Sequence, residues 1–135
     1  KRSLGDNNGA IADYTKAIEL NPDLAVPYNN RGNAKYVLKD YYGAIADFNK
    51  AIELRPDYAD PYYNRGAAKN GLKDYYGAIA DYTKAIELRP DYASAYYNRG
   101  IAKGSLGDAK GACQDARKAQ QLGYDATELI NLACN

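Results

Sequence analysis

Apolar and polar positions along this 135-residue chain recur with a period of 34, and within each period they fall into two helical stripes. Ala25–Tyr58 and Ala59–Tyr92 agree at 27 of 34 aligned positions. Ala93–Ala126 keeps the register with drift towards its end, and residues 1–24 supply only the last part of an earlier unit. A fixed period of this length marks a stacked array, in which each unit contacts its neighbours, not a single globular core. Within a unit, Pro27 stands where a first helical turn tolerates a missing N–H. In the next unit Asp60 stands before Pro61 in the place of a cap. From Tyr28 through Arg31, Gly32, Lys35 and Tyr36 the chain runs without a breaker to Leu38, and Lys39-Asp40 then interrupts it. Asp40 can cap a second helix whose stripe is Tyr41, Ile45, Phe48 and Ile52. Arg55-Pro56 ends that helix, because the residue before a proline is pushed out of the α region. Each unit therefore predicts two antiparallel helices joined by a tight turn.

Small residues show how such a hairpin closes. Gly32 faces Ala44 in register, and Gly66/Ala78 and Gly100/Ala112 repeat the pair. A glycine inside a helix costs about 1 kcal/mol relative to alanine, so one in every unit implies a close approach of two helix backbones. Tyr28, Gly32, Ala44, Phe48, Ala51 and Pro56, with Tyr62, Gly66, Ala78, Tyr82, Ala85 and Pro90, carry a family resemblance in type and spacing. The third unit keeps Tyr96, Gly100, Ala112 and Ala119 but has Ala116 and Tyr124 where an aromatic and a proline would stand. Residues 1–24 match through Ala10, Tyr14, Ala17 and Pro22. In these positions the chain resembles the tetratricopeptide-repeat (TPR) family, and phrases such as Asn-Arg-Gly look like its bacterial branch. The resemblance implies an all-α, right-handed superhelix of stacked helix pairs that binds peptides or partner proteins without a cofactor. The organisation expected is a partial repeat at 1–24 (second helix only), repeats at 25–58, 59–92 and 93–126, and a C-terminal capping helix at 127–135.

The ends are expected to differ. A terminal cap must be polar outside, and Asp125 is placed to cap a helix over 126–134 with stripe Leu129, Ile130 and Ala133, covering 112–119. At the other end, a helix over 8–20 lacks its partner apart from a stub at Lys1–Leu4, which leaves Ile11, Tyr14 and Ile18 as an association edge. With no Met and an opening Lys1-Arg2-Ser3, the chain reads as a piece of a longer protein. Cys113 and Cys134 lie about equidistant from the Gly123-Tyr124 turn, so an antiparallel pair of helices could set them level for a disulfide. A bridge would point to an oxidising compartment, periplasmic or secreted, and free thiols to the cytoplasm. The competing reading makes Cys113 a small hydrophobe in the place of Ile45 and Ile79.

Composition narrows the function classes. There are 18 basic against 17 acidic residues, which argues against nucleic acid or an anionic membrane surface as partner. No segment has the apolar length of a spanning helix. The chain has no His, and its carboxylates follow the repeat, so convergent catalytic or metal-binding groups are missing. Arg31, Arg65 and Arg99 stand beside the hairpin glycines, with Asp13, Asp47 and Asp81 as partners in an architectural ladder. Aromaticity is almost all tyrosine, 15 Tyr against one Phe.

The resemblance places the first helix of each unit on a concave groove. Groove residues are then Asn29, Asn30, Asn33 and Tyr36, followed by Tyr63, Asn64 and Asn70, and by Tyr97, Asn98 and Ile101. Gly71, Gly104 and Ser105 would widen it towards the C-terminus. An amide both donates and accepts, which suits recognition of a peptide backbone, and tyrosine adds contact area with a polar tip. The alternative is that the recurring Asn residues satisfy inter-repeat hydrogen bonds. The carboxylate clamp of chaperone-tail binders is incomplete, because Asn29, Ser94 and Asn98 hold the places of its basic residues. Two functions remain: an interaction scaffold whose groove holds an extended peptide or partner protein, or an assembly module that self-associates through its ends. A designed or consensus-like origin is suggested by the near-identity of the two middle units, and the irregular last unit and the cysteines argue against it.

Overall fold

The computed structural model describes residues 4–135, which form eight α-helices and no strand. They are α1 (Leu4–Leu20), α2 (Ala25–Val37), α3 (Tyr41–Leu54), α4 (Ala59–Gly71), α5 (Tyr75–Leu88), α6 (Ala93–Ser105), α7 (Ala109–Gln121) and α8 (Thr127–Ala133). Each helix packs on the next, α2, α4 and α6 also touch in sequence, and α8 lies beside α6. In the 34-residue register α8 takes the place of the first helix of a further unit. The stub proposed at Lys1–Leu4 lies outside the described residues except for the backbone of Leu4. α1 starts four residues earlier than the sequence suggested and runs unbroken through Asp6–Gly9, a case of packing overriding poor helix propensity.

Second helices begin alike. Asp40, Asp74 and Asp108 accept the backbone N–H of Gly43, Gly77 and Gly111 at 3.0, 3.0 and 2.8 Å, satisfying one donor of the first turn. Asp60 is no such cap: α4 starts at Ala59, and the Asp60 carboxylate accepts from the Tyr92 hydroxyl at 2.9 Å and Arg89 at 3.3 Å. Pro27 and Pro61 sit inside the first turns of α2 and α4, where a missing N–H removes no helical bond.

The core is built from alanines, around Phe48 in the first full hairpin and Tyr82 in the second, with Ala116 at that place in the third. Ala44, Phe48, Ala51, Ala78, Tyr82 and Ala85 are buried, while the larger Ile45 and Ile52 are only half covered. Gly32 and Gly66 are required by this packing, because an added Cβ would stand 2.6 Å from the Phe48 ring and 2.9 Å from the Tyr82 ring. Gly71 has the same role and does not widen the inner face: its Cβ would meet the Tyr41 ring at 2.7 Å.

A charged ladder ties hairpins together. Asp47, Asp81 and Asp115 are each 4 % exposed. Each accepts both Nε and Nη2 of Arg31, Arg65 or Arg99 at 2.7–2.9 Å, the bidentate geometry that a guanidinium favours. Lys35, Lys69 and Lys103 add a second cation at 3.0, 3.1 and 3.1 Å. The third arginine nitrogen reaches the preceding unit, to Thr15, Asn49 and Thr83. Asp13, at the same register in α1, is exposed and has no basic partner among the described residues. Asp115 is the third anion of the ladder in its stead.

Candidate functional site

The inner face of α2, α4 and α6 encloses one open cavity of about 580 Å³. Seven of the predicted groove residues line it: Asn30, Asn33, Tyr36, Tyr63, Asn64, Asn70 and Asn98. Asn7 and Tyr14 from α1, Tyr82 from α5, and Ala34, Val37 and Ala67 between the amides add to the wall. The sequence reading placed Tyr14 on the outer edge and passed over Asn7. Register would have found both, since Asn7 holds the place of Tyr41 and Tyr14 that of Phe48 and Tyr82. Among the described residues no Lys, Arg, Asp or Glu lines this cavity.

Its amides are arranged as a ladder. Asn64 Nδ2 donates to Asn29 Oδ1 at 3.0 Å, and Asn98 Nδ2 donates to the Tyr63 hydroxyl at 2.7 Å. Each thereby lashes its unit to the one before with a single hydrogen, leaving its carbonyl oxygen and second N–H for a ligand. Asn30, at the same register, has no protein partner among the described residues. Asn29 stands behind the groove: it is 4 % exposed, and its amide is occupied by Asn64 and by the Tyr58 hydroxyl at 3.5 Å. Asn70 Oδ1 is buried with no hydrogen-bond partner.

Tyrosines frame the amides. Tyr63 stacks on Tyr92 at 4.8 Å and meets Tyr82 at 5.6 Å, and Tyr36 meets Tyr41 at 5.6 Å. Burial, then the neighbouring phenols, raises the pKa of Tyr36 and Tyr82, so both stay neutral hydroxyls that can donate.

The family profile described as "TPR repeat" matches residues 1–38, 32–71 and 72–107. The chain belongs to the tetratricopeptide-repeat family. Among solved structures, a crystal structure of MamA is 28 % identical, covering 96 % of this chain and 77 % of that one at a TM-score of 0.88. The TPR domain of Arabidopsis OM64 is 30 % identical over 81 % and 93 % of the two chains, at 0.78. The first TPR of Spaghetti (RPAP3), solved bound to the HSP90 peptide SRMEEVD, is 26 % identical over 82 % and 90 %, at 0.79. No curated protein shows a significant match.

The TPR array also places the remaining predicted residues. Tyr97 and Ile101 belong to a second cavity of about 460 Å³, where α6 meets α7 and α8, with Gly104, Ser105, Leu129 and Leu132. Cys113 of α7 and Cys134, just after α8, are joined as a disulfide with Cα atoms 5.0 Å apart. α8 is shorter than the sequence suggested, and Asp125 accepts from Thr127 N–H at 3.1 Å before it. The predicted association edge is half-buried: Ile18 packs on Ala25, Tyr28 and Ala51, and Ile11 and Tyr14 are partly covered. Exposed apolar side chains stand instead at Leu20, Leu24 and Val26, 80, 50 and 43 % exposed. Among the described residues no helix is long and apolar enough to cross a membrane, and no acidic, His or Cys group is clustered to hold a metal.

Proposed function

We propose that this TPR array is a protein-interaction scaffold whose concave groove holds an uncharged stretch of extended peptide by its backbone. The carrying observation is the amide ladder: Asn30, Asn64 and Asn98 recur once per unit around a cavity that carries no charge among the described residues, and Asn70 lines it too. An extended chain offers alternating N–H and C=O groups, and amides answer both. The RPAP3 domain, which was solved with an acidic peptide, supports the class of ligand. Its peptide's charge finds no counterpart here, because no cation among the described residues lines this groove.

The test is selection from a displayed library of random peptides, with Asn30→Ala/Asn70→Ala as the counter-target. These two side chains make no hydrogen bond to the protein, so removing them leaves the fold intact, unlike Tyr63, whose ring stacks on Tyr92. Selected peptides should bind the variant about tenfold to thirtyfold more weakly, two hydrogen bonds at about 1 kcal/mol each. Equal affinity would remove the groove from the mechanism. A second reading, self-association, is favoured by the exposed Leu20, Leu24 and Val26. Light scattering that shows a concentration-dependent dimer, abolished in Leu24→Ser/Val26→Ser, would establish it.

A further inference from the structure

The units are near copies, so a departure that packing does not demand marks a place where the array does something particular. Three inner positions change together towards the C-terminus. Asn33 and Ala67 give way to Ile101, Tyr36 and Asn70 to Gly104, and Asn30, Asn64 and Asn98 to Leu132. All three replacements line the second cavity. Ile101 also packs against Ala116, Ala119, Ala126 and Leu129, but packing does not demand the other two. A Cβ on Gly104 would meet nothing closer than Ala112 at 3.8 Å, whereas Gly32 and Gly66 have no room for one. Leu132 is 76 % exposed, an apolar side chain held in solvent where the other units carry an amide. The Tyr97 ring, 4.7 Å from that of Tyr124, borders the space, and the disulfide to α7 fixes the helix that supplies its far wall.

Among the described residues the only charged side chain of the lining is Glu128, which has no cationic partner there. Asp125 adds to the same field: burial first, then Tyr124, Glu128 and Asp125, raises the Tyr97 phenol. Glu128 and Leu132 lie on one face of α8, four residues apart. Asn98 of the groove and Ile101 of this cavity are three residues apart on α6, the spacing of one helix face, so the cavity borders the amide-lined groove.

We propose that the second cavity is an anchor subsite for an apolar side chain of the bound peptide, leucine-like in size, flanked in that peptide by a lysine or arginine that meets Glu128. This rests on the reading of the groove as a peptide site, and gives that peptide a defined end: uncharged over α2 and α4, apolar and basic over α6 and α8.

The test is an NMR titration of the full chain with N-acetyl-leucyl-lysine amide, against the leucyl-glutamate and glycyl-lysine analogues. The amides of Ile101, Leu129 and Leu132 should shift with the first probe, which should bind about threefold or more tightly than its glutamate analogue. The glycyl probe should not bind. Leu132→Asn, which restores the residue of the other units at an exposed site and so leaves the core intact, should weaken binding about tenfold. Gly104→Tyr should block it by filling the space, and Glu128→Gln should make the lysine and glutamate probes equal. No shift at these amides, or shifts indifferent to Leu132→Asn and Gly104→Tyr, would overturn the proposal. The dipeptide should still bind Asn30→Ala/Asn70→Ala. If it does while long peptides ignore that variant, the ladder reading fails and the anchor stands. If long peptides need the ladder and the dipeptide shifts nothing, the anchor fails alone.

Discussion

Removing Asp81 should be strongly damaging to the second hairpin. Its two oxygens hold Arg65 at 2.7 and 2.8 Å and Lys69 at 3.1 Å, and Arg65 reaches on to Asn49 of the preceding unit at 2.9 Å. Asp81→Ala leaves two cations facing a cavity and loosens an inter-unit bond. Deleting one partner of a buried pair costs about 3–5 kcal/mol. The Arg65 and Lys69 side chains keep 21 and 26 % exposure, so water relieves part of the penalty, and the lower end, about 3 kcal/mol, applies. With a urea dependence of about 2 kcal/mol per molar, the midpoint should fall by about 1.5 M. Urea unfolding followed by far-UV circular dichroism measures this directly. Asp13→Ala is the internal control: the same register, exposed and unpaired, and expected to stay within about 0.5 kcal/mol of the parent. Arg65→Ala/Asp81→Ala should cost less than the two single changes summed, because each alone leaves an uncompensated charge. Equal midpoints for Asp81→Ala and Asp13→Ala would refute an architectural ladder.

Two glycines should respond to alanine with opposite signs. Gly66→Ala pushes a Cβ to 2.9 Å from the Tyr82 ring and 3.2 Å from the Ala78 carbonyl and should destabilise by about 1–2 kcal/mol, whereas Gly104→Ala has room and should gain up to about 1 kcal/mol; melting temperatures of the same sign would defeat the packing argument. Reduction of Cys113–Cys134, which are 21 residues apart, should lower stability by about 3 kcal/mol. A thermal melt in dithiothreitol should shift for the parent and not for Cys113→Ser/Cys134→Ser; a parent that ignores reductant would show the bond to be energetically idle. Burial first, with Asp60 adding at Tyr92, raises the phenols of Tyr82 and Tyr92 above the ordinary value of 10.0. A raised folded pKa means stability that is complete below pH 10 and declines as pH rises above it. Ultraviolet titration should show these two ionising only as the helices melt, and ionisation near 10 with the helices intact would contradict their burial.

The hairpins were legible because period, proline and cap residues agree: Asp40 caps α3 and Arg55 ends it, as the pattern required. The stripe of the second helix was read less well. Ile45 and Ile52 look like its core by hydrophobicity, yet the closest approach is made by Ala44, Ala51 and the glycines of the facing helix, with Asp47 buried among them. Where helices approach this closely, small volume matters more than transfer free energy. The Arg–Asp pairing could be read from recurrence, while the choice between Asp13 and Asp115 depended on which first helix stands beside each. Asn29 illustrates a different limit. Its polarity and inner-face register suggested ligand contact, but Asn64 one unit later consumes it, and a bond across 35 residues leaves no local signal. Gly71 was misread for the same reason, since the Tyr41 ring that fills its space comes from another hairpin.

Periodicity itself sets a problem for a groove of this kind. Amides repeated once per unit present nearly the same surface at each step, so a peptide bound only by its backbone could lie equally well in several registers. Such degeneracy increases the number of bound states but gives no discrimination between partners, because backbone groups are common to all. A unique register needs an element that breaks the repeat. The change from Asn98 to Leu132, with Ile101 and Gly104 beside it, breaks it at one end only. One buried apolar side chain can contribute about 1.5–3 kcal/mol, enough to favour a single register about tenfold to more than a hundredfold. Backbone amides would then supply affinity along the groove while the C-terminal cavity chooses the sequence and its alignment, a division of labour that near-identical repeats could not achieve without a differing last unit.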